Sequence, residues 1–152
     1  MILIDLSQIM VASTMMSMGK DRTEVDISMI RHMILNSLRM YRQKYHEEYG
    51  ELVLCCDGRN SWRREHFPLY KAGRKTTRDS SSKDWTQIFE SLDTIKSELK
   101  EYFPYKYIEV EAAEADDVIG VLAKSWNEPI MIISSDKDFI QLQVKENVKQ
   151  YS

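Results

Sequence analysis

Glu114, Asp116 and Asp117 crowd three carboxylates into four positions of the run Glu-Ala-Ala-Glu-Ala-Asp-Asp, with only an alanine between them. Like charges about 4 Å apart repel by roughly 1–4 kcal/mol in surroundings between bulk water and a protein surface, so such a cluster calls for a cation. If Glu114 opens a helix, Glu114 and Asp117 stand one turn apart on one face, and all three acids lie near the positive end of the helix dipole. A dipole offsets part of the repulsion; a divalent metal ion offsets more. Taken alone, Glu-Ala-Asp-Asp reads as an acid-rich helix start with solvated side chains. Other acids alter that reading. Asp5 closes the apolar run Ile2-Leu-Ile4, Asp57 closes Leu52-Val-Leu-Cys-Cys56, and Asp136 and Asp138 follow Ile130-Met-Ile-Ile133. A single aspartate at a strand end is ordinarily a turn or helix cap, whereas four strands that all deliver acids at their carboxyl ends point to one shared site. Hard oxygen donors without a convergent set of His or Cys suit Mg²⁺, with Mn²⁺ as substitute, rather than Zn²⁺. Two such ions about 3.5–4 Å apart would activate a water and stabilise the leaving oxygen of an in-line phosphoryl displacement. That chemistry is phosphodiester hydrolysis.

The elements that must position these acids alternate along the chain. Short apolar runs at 2–4, 52–56, 107–110 and 130–133 read as strands, and the tail from Val148 to Ser152 reads as one more. Residues 28–49 carry Ile30, Met33, Ile34, Leu38, Tyr41 and Tyr45 at helical spacing. A second such stripe, Trp85, Ile88, Phe89, Leu92, Ile95 and Leu99, ends before Pro104. Both stripes are expected to face the core, and an irregular stretch is expected to begin at Ser7 and Gln8. This alternation predicts an α/β fold, a mostly parallel twisted sheet flanked by helices, whose functional groups gather beyond the carboxyl ends of the strands. Asp5, Asp57, Glu114, Asp116, Asp117, Asp136 and Asp138 are therefore expected to converge.

The substrate side is expected between Asp57 and the second helix. Residues 59–78 hold Arg59, Arg63, Arg64, Lys71, Arg74, Lys75 and Arg78 against one acid, Glu65, with Trp62, Phe67 and Tyr70 among them. Cations that engage phosphates beside rings that stack on bases suit a single strand or a branch point. Packing on the core is an equally good reading for Trp62 and Phe67. Residues 76–84 are polar and Ser-rich, as in a surface loop.

Composition sets the frame. The 152 residues are 30% charged and 43% hydrophobic, with a net charge of -3 that excludes a uniformly basic nucleic-acid binder and conceals the basic stretch. The length fits one domain. No apolar run is long enough to span a membrane, and Asp5 interrupts the amino-terminal one too early for a signal peptide, so a cytoplasmic protein is expected. Adjacent Cys55 and Cys56 read as buried thiols rather than a disulfide framework, and His32, His46 and His66 lack a ligand pattern.

Glu114-Ala-Asp-Asp-Val-Ile119, Ser135-Asp-Lys-Asp-Phe-Ile-Gln-Leu142 and Tyr70-Lys-Ala-Gly-Arg74, together with Asp5 and Asp57, resemble the 5′-nuclease (flap endonuclease) family. The likeness runs along essentially the whole chain, including Trp62-Arg-Arg64 and Asn147-Val-Lys-Gln150. It implies a single catalytic-core domain over residues 1–152, PIN-like in fold, with a basic helical arch or clamp at about 59–86 that orders when a strand binds. It further implies a metal-dependent 5′ to 3′ exonuclease and flap endonuclease that removes RNA primers or 5′ flaps during DNA replication, acting on 5′-flap DNA or RNA–DNA hybrids beside replication proteins. By matched position Asp57, Glu114, Asp116 and Asp136 would serve the first metal, and Asp117, Asp138 and Asp5 would complete the site directly or through water. Lys71 and Arg74 would contact the scissile phosphate and stabilise developing charge. Arg59, Arg63, Arg64, Tyr70, Lys75 and Arg78 would join them in binding nucleic acid. Family members continue past the position of Ser152 with a further acidic residue and a helix-hairpin-helix region. The resemblance thus implies fewer ligands for a second metal here and a weak grip on duplex, as in a fragment or one half of a split nuclease. A PIN-type ribonuclease matches the chain length, and an inactive DNA- or protein-binding module would also keep the acids; the Tyr-Lys-Ala-Gly-Arg run favours the flap nuclease.

Overall fold

The computed structural model describes residues 1–19, 25–58 and 85–152. Five strands, β1 (Ile2–Asp5), β2 (Leu52–Cys56), β3 (Lys106–Glu109), β4 (Ile130–Ile133) and β5 (Val148–Tyr151), form one sheet in the order β3-β2-β1-β4-β5. Every pairing is parallel, with Ile4 opposite both Leu54 and Ile133. The helices are α1 (Leu6–Met18), α2 (Ile27–Tyr49), α3 (Trp85–Tyr102) and α4 (Ala115–Ser125), and a 3₁₀ helix covers Lys137–Val144.

Strands β1, β2 and β4 are buried throughout, as continuous apolar runs in a two-sided parallel sheet should be. Alternate side chains feed two cores. Ile2, Ile4, Leu52, Leu54 and Cys56 pack on one face against Met10, Ile30, Ile34, Leu38, Ile88, Leu92, Ile95 and Leu99 of α1–α3. Leu3, Val53 and Cys55 pack on the other against Ala115, Val118, Ile119, Phe139 and Leu142 of α4 and the 3₁₀ helix. Both cysteines are buried as free thiols, and desolvation pushes the Cys56 thiol up to about 12. Asp26 caps α2 by accepting from the Met29 N–H at 3.1 Å, and Arg31 grips Glu98 through two 2.7 Å bonds that tie α2 to α3. His32 meets Asn36 and His46 meets Glu51, so neither joins the acids.

Four sequence expectations need correction. The stretch from Ser7 is not irregular: it is α1. Its buried face, Leu6, Met10, Ser13, Thr14, Ser17 and Met18, has helical spacing, but three of the six are hydroxyl residues, so the hydrophobic contrast that marks an amphipathic helix is nearly absent. Thr14 reaches the core by donating to the Met10 carbonyl at 2.8 Å. Phe89 leaves the core stripe and is 40% exposed, because it lies about 100° around the helix from Ile88 and rests on the Trp85 ring. The third strand is a half-exposed edge, Lys106–Glu109, with Val110 beyond it in solvent. Trp85 and Thr86, assigned to the end of the arch, begin α3, and residues 59–84 lie outside the described residues. Among the described residues no helix is long and apolar enough to cross a membrane.

Candidate active site

An all-parallel sheet delivers every strand's carboxyl end to one rim, and β1, β2 and β4 sit side by side at its centre. Asp5 ends β1, Asp57 follows β2, and Ser134–Asp138 follow β4. The loop after β3 brings Glu114 and the amino terminus of α4 to the same rim. That approach depends on Gly58: a Cβ there would collide with the Val110 carbonyl, while its N–H donates to the Ala113 carbonyl at 2.8 Å. Ala112, at φ 68°, makes the sharp turn that this contact needs.

Hydrogen bonds lock the acids in place. The Asp57 carboxylate accepts from the Ala115 N–H at 2.7 Å and from the Ser7 hydroxyl at 3.1 Å, so it joins β2 to the starts of α4 and α1. Glu114 and Asp117 form a capping box, with the Asp117 carboxylate accepting from the Glu114 N–H at 2.9 Å. The Ser134 hydroxyl donates to Asp5 at 3.1 Å and accepts from the Asp136 N–H at 3.1 Å. Asp136 caps the 3₁₀ helix by accepting from the Asp138 N–H at 2.9 Å. On either side of this loop, the Gln8 side-chain oxygen Oε1 accepts from the Ser135 N–H at 2.8 Å, and the Gln150 side-chain amide donates to the backbone carbonyls of Ser134 and Asp136 at 2.7 and 2.8 Å.

Electrostatics show which acids share a field. Burial, followed by the charges of Asp136 and Asp5, pushes the Asp116 carboxyl up to about 7. Asp5, only 7% exposed, is also raised, by burial first, against its Ser134 hydrogen bond, and then by Asp57 and Asp136. The charges of Asp57 and Asp136 thus reach Asp5, and those of Asp136, Asp5 and Glu114, the last 6% exposed, reach Asp116. Asp117 and Asp138 stand with Asp116 on an open cleft of about 740 Å³ between α4 and the 3₁₀ helix, with Gly120, Lys124 and Phe139 along it. Among the described residues no three His, Cys, Asp or Glu side chains are grouped as they stand in a metal-ligating geometry. The donor chemistry, carboxylate oxygen throughout, is that of a hard divalent ion. Arg59, Arg63, Arg64, Tyr70, Lys71, Arg74, Lys75 and Arg78 all lie outside the described residues.

Sequence reasoning missed the hydrogen-bonding partners Ser7, Gln8, Ser134 and Gln150. For Ser7, Gln8 and Ser134 a signal existed, since polar residues that adjoin a strand-end acid have an acceptor or donor nearby. Gln150 lay in a stretch that carries the family likeness but had no local signal for these bonds, because its partners lie 14 and 16 residues away in the chain.

A five-stranded parallel sheet with acids gathered at its carboxyl rim is the architecture of a resolvase-like, PIN-type nuclease domain. The chain belongs to the 5′-3′ exonuclease family, whose N-terminal resolvase-like domain matches residues 1–152. It is 41% identical to ribonuclease H of Enterobacteria phage T4, over 99% of this chain and 51% of that protein. It is 32% identical to the flap endonuclease Xni of Shewanella piezotolerans, over 84% of this chain and 47% of that protein. Among solved structures, the 5′-exonuclease of phage T5 bound to zinc superposes with a TM-score of 0.77 at 18% identity, over all of this chain and 54% of that one. The T5 flap endonuclease in complex with DNA and metal ions gives a TM-score of 0.74 at 19% identity, over 99% and 54%. The chain thus spans about half the length of these relatives.

Proposed function

We propose that this chain is the catalytic core of a divalent-metal-dependent 5′ to 3′ exonuclease and flap endonuclease that hydrolyses phosphodiesters to remove RNA primers or 5′ flaps. The observation that carries the reading is the gathering of Asp5, Asp57, Asp116 and Asp136 at one rim of the sheet, where the charges of Asp57 and Asp136 reach Asp5 and those of Asp136 and Asp5 reach Asp116. Asp57, Glu114, Asp116 and Asp136 would hold a first Mg²⁺ or Mn²⁺, and Asp5, Asp117 and Asp138 would complete the site for a second. When bound, such ions supply Lewis acidity for the phosphoryl oxygens and lower the pKa of the attacking water. The protein's own part is positional. Asp57 fixes the start of α4, the Glu114–Asp117 box aligns its first turn, and Ser134 keeps Asp136 beside Asp5.

Lys71 and Arg74 would hold the scissile phosphate, with Arg59, Arg63, Arg64, Tyr70, Lys75 and Arg78 along the strand. Family membership and the DNA and metal ions named for the T5 neighbour support this reading. The substrate is 5′-flap DNA or an RNA–DNA hybrid, the setting is the cytoplasm, and the partners are replication proteins.

The test is cleavage of a labelled 5′-flap DNA and an RNA-primed duplex with Mg²⁺, with Mn²⁺ and with chelator. Cutting near the junction that chelator stops, by the chain alone or after addition of the relatives' second half, is the expected result; no cutting under either condition overturns it. Within that assay, Lys71→Ala is expected to slow single-turnover cleavage by about 10²-fold or more, the scale of a lost transition-state donor, while DNA affinity falls severalfold. Equal losses in rate and affinity would reduce Lys71 to a plain phosphate contact.

A further inference from the structure

We infer that Gln150 is a positioning residue, which holds the loop Ser134–Asp136 so that the Asp136 carboxylate keeps its place beside Asp5 and Asp116 for metal ligation. The inference rests on the metal-dependent reading above and adds to it a residue from outside the acidic rim.

Gln150 lies on β5, the strand at one edge of the sheet, in register with Ile132 of β4. Its side-chain nitrogen donates to two carbonyls on either side of Ser135, those of Ser134 at 2.7 Å and Asp136 at 2.8 Å. Two carbonyl acceptors require the NH₂ end of the amide. The other end accepts from the Gln143 side chain of the 3₁₀ helix at 3.3 Å, which agrees with that orientation. From the opposite side Gln8 of α1 holds the Ser135 N–H, while the Ser134 hydroxyl spans Asp5 and the Asp136 N–H.

Ser-Ser-Asp is a run of short polar side chains that bond readily to nearby backbone and so permit several loop conformations. Gln150 and Gln8 select one of them. Both donors of the Gln150 amide are used on the backbone that bears Asp136, although neither carbonyl belongs to its own strand. A ligating carboxylate has to be held to within about 0.5 Å, and loss of the groups that hold a ligand in place typically weakens metal binding about 10- to 100-fold.

The experiment is Mn²⁺ titration of the full chain followed by electron paramagnetic resonance, beside thermal melts in chelator. Gln150→Met keeps the length and removes both donors. Gln150→Thr suits an edge strand but is too short to reach both carbonyls, and it keeps the test open should the Met variant fail to fold. Mn²⁺ affinity is expected to fall about 10- to 100-fold while the metal-free melting temperature moves by only a few degrees. An affinity loss of less than about tenfold in the folded variants overturns the inference, and so does failure of both to fold, which would make Gln150 a residue of the fold alone. A wild-type chain that takes up no Mn²⁺ overturns the metal reading itself, a result distinct from either of these.

Discussion

Replacing Asp136 and Asp138 together by asparagine is expected to abolish metal-dependent cleavage, by at least ~10³-fold in single-turnover rate, and to leave the fold intact. The size follows from the chemistry: an ion that stabilises transition-state charge contributes several kcal/mol, and each 1.4 kcal/mol is tenfold in rate. Structural retention follows from the geometry. Asp136 serves the fold by accepting the Asp138 N–H at the start of the 3₁₀ helix, a task that asparagine performs about as well as aspartate. Asp138 is exposed and stands on the open cleft. Removing the Asp136 charge, which raises both Asp116 and Asp5 after burial, also relieves repulsion, so the metal-free melting temperature should hold or rise. Cleavage of a 5′-flap substrate and a circular-dichroism melt, made on the same preparation, check both halves. A rate equal to that of the wild type would sink the assignment of these two acids.

The metal-free chain is expected to lose stability as pH rises from about 5 to 8, and Asp116→Asn is expected to remove much of that loss. The Asp116 carboxyl is raised from 3.8 to about 7 in the folded chain, chiefly by burial, so the native state binds this proton more tightly than the unfolded state does. Between those two values the native state carries the greater share of the proton, and the slope of stability against pH is negative. The contribution is fully present below the unfolded value and is gone once pH has passed the folded one. Asp5 is raised for the same first cause and works in the same direction. On the proposed reading Mg²⁺ is expected to reverse the penalty by binding the ionised site: at a concentration 100 times its dissociation constant, mass action would contribute about 2.7 kcal/mol. Melts at pH 5 and pH 8, in chelator and in Mg²⁺, separate these effects. If the wild type and Asp116→Asn show the same difference between the two pH values in chelator, the raised carboxyl has no part in stability.

These two results would also show how catalysis and folding oppose each other at the rim. Burying Asp5 and Glu114 and half-burying Asp116 favours a firm grip on a hard cation, yet the same burial makes the ionised metal-free state costly. The hydrogen bonds from Ser7, Ser134 and the Ala115 N–H offset part of that cost at Asp57 and Asp5. They also hold the carboxylates in fixed places, as a pre-organised site requires.

What the sequence determined by itself was local. Ile2-Leu-Ile4, Leu52–Cys56 and Ile130–Ile133 became buried strands because unbroken apolar runs of three to five residues satisfy both faces of a parallel sheet, and the alternation with helical stripes implied the parallel crossovers. The acids at the ends of those runs were legible for the same reason: their place in the chain is their place at the rim. Glu114 as the cap of α4 was equally local, since a capping box closes within four residues. Tertiary structure decided what depends on neighbours far apart in sequence. It set the strand order, turned the hydroxyl-rich face of α1 inward and left Phe89 in solvent. It also raised the Asp116 carboxyl, because burial there is joined by the charges of Asp136 and Asp5, and it set the Asp117 carboxylate on the Glu114 N–H. Gln150 is the clearest case. A glutamine on an edge strand carries no mark of its role until the sheet brings β5 against β4, because its energy lies in two hydrogen bonds that exist only after the chain has closed.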